Sequence, residues 1–162
     1  NATDINIGEY RVRWNKAEDG PSWAIREGSI DEVGCIHTCQ GLEFDYVGVI
    51  IGEDMVVEEG RIITRPEARD RVDANKTLRG YKTLIKSTDP STVEKARKMA
   101  DEIIRNTYKV LMTRGQKGCY VYCCNSELAE YLKSRIGKYY YKCNEEGQDY
   151  LSVAEDESSY NL

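Results

Sequence analysis

The feature that most constrains the fold is a nearly continuous apolar run that follows a polar, glycine-containing loop. Residues 35–52 read Cys-Ile-His-Thr-Cys-Gln-Gly-Leu-Glu-Phe-Asp-Tyr-Val-Gly-Val-Ile-Ile-Gly. The run at 47–51 predicts a buried strand with cover on both faces, as in an α/β sheet, because a half-exposed strand would alternate polar and apolar residues. Loops at the ends of such strands often carry functional groups. Composition alone nevertheless favours an ordinary solvated turn over a site.

Length and charge limit the classes of protein that the chain can form. With 162 residues it fits one domain with a substantial core. Its net charge of -5 gives no global basic field for nucleic acid, although a local basic strip remains compatible with phosphate binding. The sequence shows neither a signal peptide nor an apolar membrane run, so we expect a cytoplasmic protein without membrane contact.

The six cysteines do not follow the spacing of a zinc finger. Alternation places Cys119, Val121 and Cys123 on one face of a strand, with Tyr120 and Tyr122 on the other. We therefore predict reduced, mostly buried thiols and no metal site.

The rest of the chain predicts alternating strands and helices. The expected elements are a strand at 9–14, a hairpin at 55–64, a helix from Ser91 to near Tyr108, a strand at 119–123 and a last helix capped by Asn125 or Ser126. Trp14 and Trp23 are expected to pack in the protein rather than stack on bases. The highly charged stretch 65–90 is either a solvated surface or a basic strip that contacts phosphates.

Two loops together carry a resemblance to a known family. His-Thr-Cys-Gln-Gly-Leu-Glu-Phe at 37–44 resembles motif V of superfamily 1 helicases. Tyr108 followed by Val-Leu-Met-Thr-Arg-Gly at 110–115 resembles their motif VI. Over about residues 30–135 the chain is most similar to a family of P-loop proteins related to the helicase-like part of Schlafen proteins.

The resemblance implies the second RecA-like lobe of an ATP-dependent DNA or RNA helicase or translocase. It assigns Arg114 as an arginine finger and Glu43 as a contact of the nucleotide ribose. It also places Gly41 and Gly115 at the nucleotide, and His37, Thr38 and Gln40 at the nucleic acid. Glu43 and Arg114 are expected to converge in a cleft at the carboxyl ends of the strands.

The fold implied by the resemblance is an α/β, RecA-like three-layer sandwich. It has a mainly parallel sheet, helices on both faces, and a hairpin with a charged insertion at about 53–90. The predicted divisions are an entry strand and loop at 1–29, with a cloning remnant at 1–2, the RecA-like domain at 30–137, and an acidic, tyrosine-rich tail at 138–162.

The chain has no Gly-x-x-x-x-Gly-Lys-Ser/Thr loop and no apolar strand that ends in an Asp-Glu pair. We therefore expect no ATP hydrolysis and no bound cofactor for this part alone, and ATP with Mg²⁺ in the intact protein. The implied partners are an N-terminal P-loop lobe of the same polypeptide and single-stranded or duplex nucleic acid.

Two other functions remain open. One is a non-catalytic nucleic-acid-binding or regulatory module on the same fold, with Trp14, Trp23 and residues 61–86 as its surface. The other is a protein-interaction domain that uses the tail at 138–162.

Overall fold

A computed structural model of the chain describes residues 5–15, 20–69, 76–136, 139–143 and 149–153, with the backbone alone for 20–21 and the last two ranges. The predicted cloning remnant at 1–2 and most of the acidic tail lie outside the described residues. Among the helices in the described part of the chain, none combines the length and hydrophobicity that crossing a membrane requires.

The described residues form a mixed α/β structure with several small sheets. The strands are β1 (Ile5–Ile7), β2 (Tyr10–Trp14), β3 (Glu32–Val33), β4 (Phe44–Ile51), β5 (Met55–Glu58), β6 (Arg61–Thr64), β7 (Gly115–Cys123), β8 (Tyr139–Cys143) and β9 (Asp149–Val153). The α-helices are α1 (Ile36–Cys39), α2 (Tyr81–Leu84), α3 (Pro90–Met112) and α4 (Ser126–Arg135). Short 3₁₀ helices lie at Gly20–Ile25, Ser29–Asp31 and Pro66–Ala68. The sheets join β1-β2-β3, β4-β7, β5-β6 and β8-β9.

The parallel pair of β4 and β7 forms the centre of the structure. The two strands align from Phe44 opposite Gly115 to Ile51 opposite Cys123. Helix α3 lies between them in sequence, so β4, α3 and β7 form a βαβ unit into which the β5-β6 hairpin is inserted. Ile51 belongs to a core cluster with Ile104 of α3 and Leu128 of α4, and all three are fully buried.

The opposite face of this strand pair is open in the described residues. Tyr46 is 57% exposed and Tyr120 is 67% exposed, and their rings lie 6.4 Å apart. The prediction that the strand at 47–51 has cover on both faces is therefore wrong for this part of the chain. The run contains no polar residue, so its sequence did not show that one side of the strand is open. In the structure Gly48 is exposed. A single, mainly parallel sheet is not among the sheets described here.

Helix α3 is longer than the sequence pattern indicated. We expected Ser91 to cap a helix that ends near Tyr108, but Asp89 is the cap and the helix continues to Met112. The Asp89 carboxylate accepts hydrogen bonds from the Ser91 and Thr92 N–H groups at 3.2 and 3.1 Å. Pro90 then starts the helix, because its fixed φ and missing N–H suit the first helical position.

The predicted hairpin and the predicted cap of the last helix are confirmed. Strands β5 and β6 pair across a turn at Glu59 and Gly60, both with positive φ. The Asn125 side chain accepts from the Leu128 N–H at 2.8 Å and caps α4. Strand β7 begins at Gly115 rather than at Cys119, and Cys119 is exposed rather than buried.

Candidate functional site

The two loops that resemble helicase motifs lie side by side. Glu43 immediately precedes β4, and Arg114 immediately precedes β7. The Phe44 N–H donates a hydrogen bond to the Arg114 carbonyl oxygen at 2.9 Å, and Phe44 aligns with Gly115. Since hydrogen-bonded strands lie about 4.8 Å apart, the backbones that carry Glu43 and Arg114 are neighbours. They meet at the amino ends of the parallel strands, so the expectation of the carboxyl ends is wrong for these two residues.

The side chains of Glu43 and Arg114 form no ion pair with any described residue. The Glu43 carboxylate is exposed, and no described residue forms an ion pair with it. Arg114 is half-buried, and its Nε donates to the Val110 carbonyl oxygen at 3.1 Å, near the end of α3. That bond holds one edge of the guanidinium, and no described carboxylate pairs with the group. The arrangement places an anion and a cation at one edge of the strand pair, where each can bind an external group.

The loop before β4 is held in shape by Thr38. This residue lies in the one-turn helix α1 and is 6% exposed. Its hydroxyl accepts from the Cys35 N–H at 3.0 Å and donates to the Cys35 carbonyl oxygen at 2.9 Å. The Asn15 side chain, which follows β2, accepts from the same Cys35 N–H at 3.1 Å. In this structure Thr38 therefore fixes the loop to its neighbours, and its hydroxyl is already used within the protein.

The other residues of the loop face outward. His37, Gln40 and Gly41 are exposed. Gly41 has φ 82, and no atom lies within 4 Å of the position that a Cβ would occupy there. A residue with a side chain is strained at such a φ, so glycine permits the turn that brings the chain from α1 into β4. The imidazole of His37 and the amide of Gln40 are thus exposed and available to a ligand.

Gly115 has a packing role that the sequence did not reveal. A Cβ at this position would lie 2.1 Å from the Gly118 carbonyl oxygen and 3.1 Å from a Val47 methyl group. The missing side chain is therefore required by the backbone of β7 itself. Its predicted place at a nucleotide stays a prediction.

Trp23 packs against the backbone that leads into this loop. A Cβ on Gly34 would lie 2.5 Å from the Trp23 ring, so the indole packs directly on the backbone that leads into the loop. The Cys39 sulfur lies close to the same position. Trp23 therefore packs within the protein, as the sequence predicted, whereas Trp14, for which packing was also predicted, is 40% exposed.

A buried polar network at the other end of β4 was missed from the sequence. Asp54 and Arg69 form an ion pair at 3.3 Å, with side chains that are 6% and 7% exposed. The Tyr108 hydroxyl donates to Asp54 and accepts from the Gly52 N–H at 3.1 Å. Burial, with the charge and hydrogen bond of Asp54, raises the pKa of Tyr108, so the phenol stays a donor. The one available signal was an acid three residues after the apolar strand that ends at Ile51.

The geometry thus defines an α/β domain in which two loops, each at the start of a parallel strand, present unpaired charges together. Residues 1–125 match the family described as Schlafen group 3, DNA/RNA helicase domain, and the chain belongs to that family.

A curated relative from Saccharomyces cerevisiae strain S288c carries the name "Uncharacterized protein YPL245W". The two are 34% identical over 127 residues, which is 76% of this chain and 25% of the relative. The chain thus spans about a quarter of that protein's length. No solved structure matches the chain.

The family match confirms the predicted relation to Schlafen-type helicases and points to a role connected with nucleic acid.

Proposed function

We propose that the chain is the second RecA-like motor lobe of an ATP-dependent DNA or RNA helicase or translocase. The observation that carries the proposal is the hydrogen bond from the Phe44 N–H to the Arg114 carbonyl oxygen. It places the motif V-like loop and the motif VI-like loop at one edge of a parallel strand pair, within a chain that belongs to a helicase-domain family.

Arg114 acts as the arginine finger of this lobe. Phosphoryl transfer spreads negative charge over the γ-phosphate oxygens, and a guanidinium from a second lobe neutralises it. The bond from Nε to Val110 holds the side chain near the end of α3 and leaves the remaining N–H donors of the guanidinium available to phosphate oxygens. A cation without a carboxylate partner suits that task, because an existing ion pair would have to break first.

Glu43 contacts the nucleotide ribose, with Gly41 and Gly115 leaving the neighbouring backbone accessible. An ionised carboxylate is an acceptor only, so it suits a sugar hydroxyl and repels phosphate. His37 and Gln40 face the nucleic acid on the exposed side of the same loop, and Thr38 holds that loop in place. The P-loop lobe of the same polypeptide provides the phosphate cradle and the Mg²⁺ ligands.

The open face of the strand pair supports a larger RecA-like sandwich. Parallel sheets are covered on both faces in α/β proteins. Here α3 and α4 cover one face, and Tyr46 and Tyr120 lie exposed on the other. We propose that other parts of a longer polypeptide cover this face and extend the sheet, in keeping with the greater length of the yeast relative.

The ribose contact is tested by Glu43→Ala in the complete polypeptide. We expect KM for ATP to rise about 10- to 100-fold, since a hydrogen bond to a charged group contributes about 1.5–3 kcal/mol. KM for 2′,3′-dideoxy-ATP, which lacks the sugar hydroxyls, should change little. Steady-state hydrolysis with both nucleotides measures the two effects.

Glu53→Ala is the matched control, because Glu53 is another exposed acid that flanks β4 at its opposite end. It should leave both KM values unchanged. An equal loss for ATP and for the dideoxy nucleotide in Glu43→Ala would contradict a ribose contact.

A further inference from the structure

A basic groove lies away from the two loops described above. One part of it is lined by residues of 63–67, by α3 and by Tyr81, and the other part by Pro66, Glu67 and residues of 78–86, which include α2. It consists of two adjoining depressions of about 490 and 470 Å³ that share Pro66, Glu67 and Tyr81. Because they share these residues, the two depressions adjoin each other, and we call them together the basic groove.

Most cations of the basic groove form no ion pair with a described residue, and Arg105, which pairs with Asp101, is the exception. Five of its lining residues are exposed and form no ion pair in that part of the chain: Arg79, Lys82, Lys86, Arg97 and Lys98. Arg97 and Lys98 line one depression, whereas the other three line the second, so a ligand that spans both depressions meets positive charge in each.

The acids of the basic groove are already used. Glu67 accepts a hydrogen bond from the Tyr81 hydroxyl at 2.8 Å. Asp101 forms an ion pair with Arg105 and accepts from the Thr64 hydroxyl at 2.8 Å. The lining has six cations and only these two acids, so the groove is locally positive, although the whole chain carries a net charge of -5.

We propose that the basic groove binds the sugar-phosphate backbone of single-stranded nucleic acid. Five cations that pair with no described residue, spread over two adjoining depressions, fit a chain of phosphates better than a single anion. Each depression has the size of a pocket for a small ligand, about 300–1,000 Å³, which a nucleotide unit fits and a duplex exceeds. Tyr81 is buried with its hydroxyl occupied, so this groove contacts backbone and does not read bases.

This binding surface goes beyond the proposed motor function. Arg97 lies 15 residues before the end of α3 at Met112, which is about 22 Å along a helix at 1.5 Å per residue. Arg114 follows the end of α3, and Arg105, the lining residue nearest that end, lies seven residues before Met112, so the groove needs neither Arg114 nor Glu43. It gives a function to the charged stretch after β6, which has no counterpart in the helicase motifs.

The test is binding of a fluorescently labelled oligothymidylate of about 20 nucleotides to the 162-residue chain, followed by anisotropy over a range of salt concentrations. Arg97→Gln with Lys98→Gln should weaken binding about 10- to 25-fold near 0.1 M salt. Each phosphate contact contributes about 0.7 to the slope of log K against log salt, so the slope should fall by about 1.4. Both side chains are exposed, so thermal unfolding should not change.

The matched control is Arg11→Gln with Lys133→Gln, which removes two exposed positive charges outside the groove. It should retain parental affinity and slope. Lys82→Gln with Lys86→Gln tests the second depression and should reproduce the loss. Absence of binding by the parent chain, equal affinity of the groove variant and the control, or equally tight binding of polyglutamate would each overturn the proposal.

Discussion

Arg114→Ala in the complete polypeptide is expected to lower ATP turnover by about 10³- to 10⁵-fold, which is the contribution of arginine fingers in well-characterised phosphoryl-transfer enzymes. Nucleotide affinity should remain nearly parental, because the guanidinium acts on charge that develops in the transition state. Single-turnover hydrolysis together with equilibrium binding of a non-hydrolysable analogue separates the two effects.

Two variants separate charge from structure at this position. Arg114→Lys keeps the charge but loses the planar fork and the Nε bond to Val110, so we expect only partial recovery of turnover. Lys109→Ala removes an exposed cation from the last turn of α3 and should leave turnover unchanged. Parental turnover in Arg114→Ala would end the finger assignment, and an equal loss in both alanine variants would indicate a structural effect.

Asp54→Ala is expected to lower the free energy of unfolding by about 3–5 kcal/mol, because it breaks the buried ion pair between Asp54 and Arg69. It also removes the acceptor of the Tyr108 hydroxyl, which joins α3 to the end of β4 through Gly52. Chemical denaturation followed by circular dichroism measures the change.

The double variant Asp54→Ala with Arg69→Met is the control for this effect. Removing both charges should be less destabilising than the sum of the single changes, because the buried cation is gone as well. Asp45→Ala removes a carboxylate from an exposed pair with Lys117, and it should change stability by less than about 1 kcal/mol. Additive single changes at Asp54 and Arg69 would show that the pair does not act as a unit.

Turns and helix caps could be predicted from the sequence where interactions between neighbouring residues determine them. The turn at Glu59 and Gly60 was readable because glycine tolerates the positive φ that a tight hairpin needs. Asn125 was readable as a cap because its amide oxygen accepts from an N–H three residues later. The sequence did not decide between Asp89 and Ser91 as the cap of α3, since either residue can cap a helix. Pro90 decides the position of the first turn.

The candidate site was likewise predicted only in part. The resemblance to two motifs brought Glu43 and Arg114 together, and the structure places their backbones next to each other through one hydrogen bond. It did not predict that they lie at the amino ends of the strands, although each directly precedes its strand in sequence. The ion pair between Asp54 and Arg69 was not predictable, because the partners are 15 residues apart and only tertiary packing buries them together.

ATP hydrolysis by the complete polypeptide, measured with and without single-stranded nucleic acid, tests the proposed motor function most directly. We predict hydrolysis that nucleic acid stimulates and that Arg114→Ala abolishes, while the variant still binds nucleotide. A folded polypeptide that binds nucleic acid yet hydrolyses no ATP above background would contradict the motor assignment and favour a non-catalytic nucleic-acid-binding module.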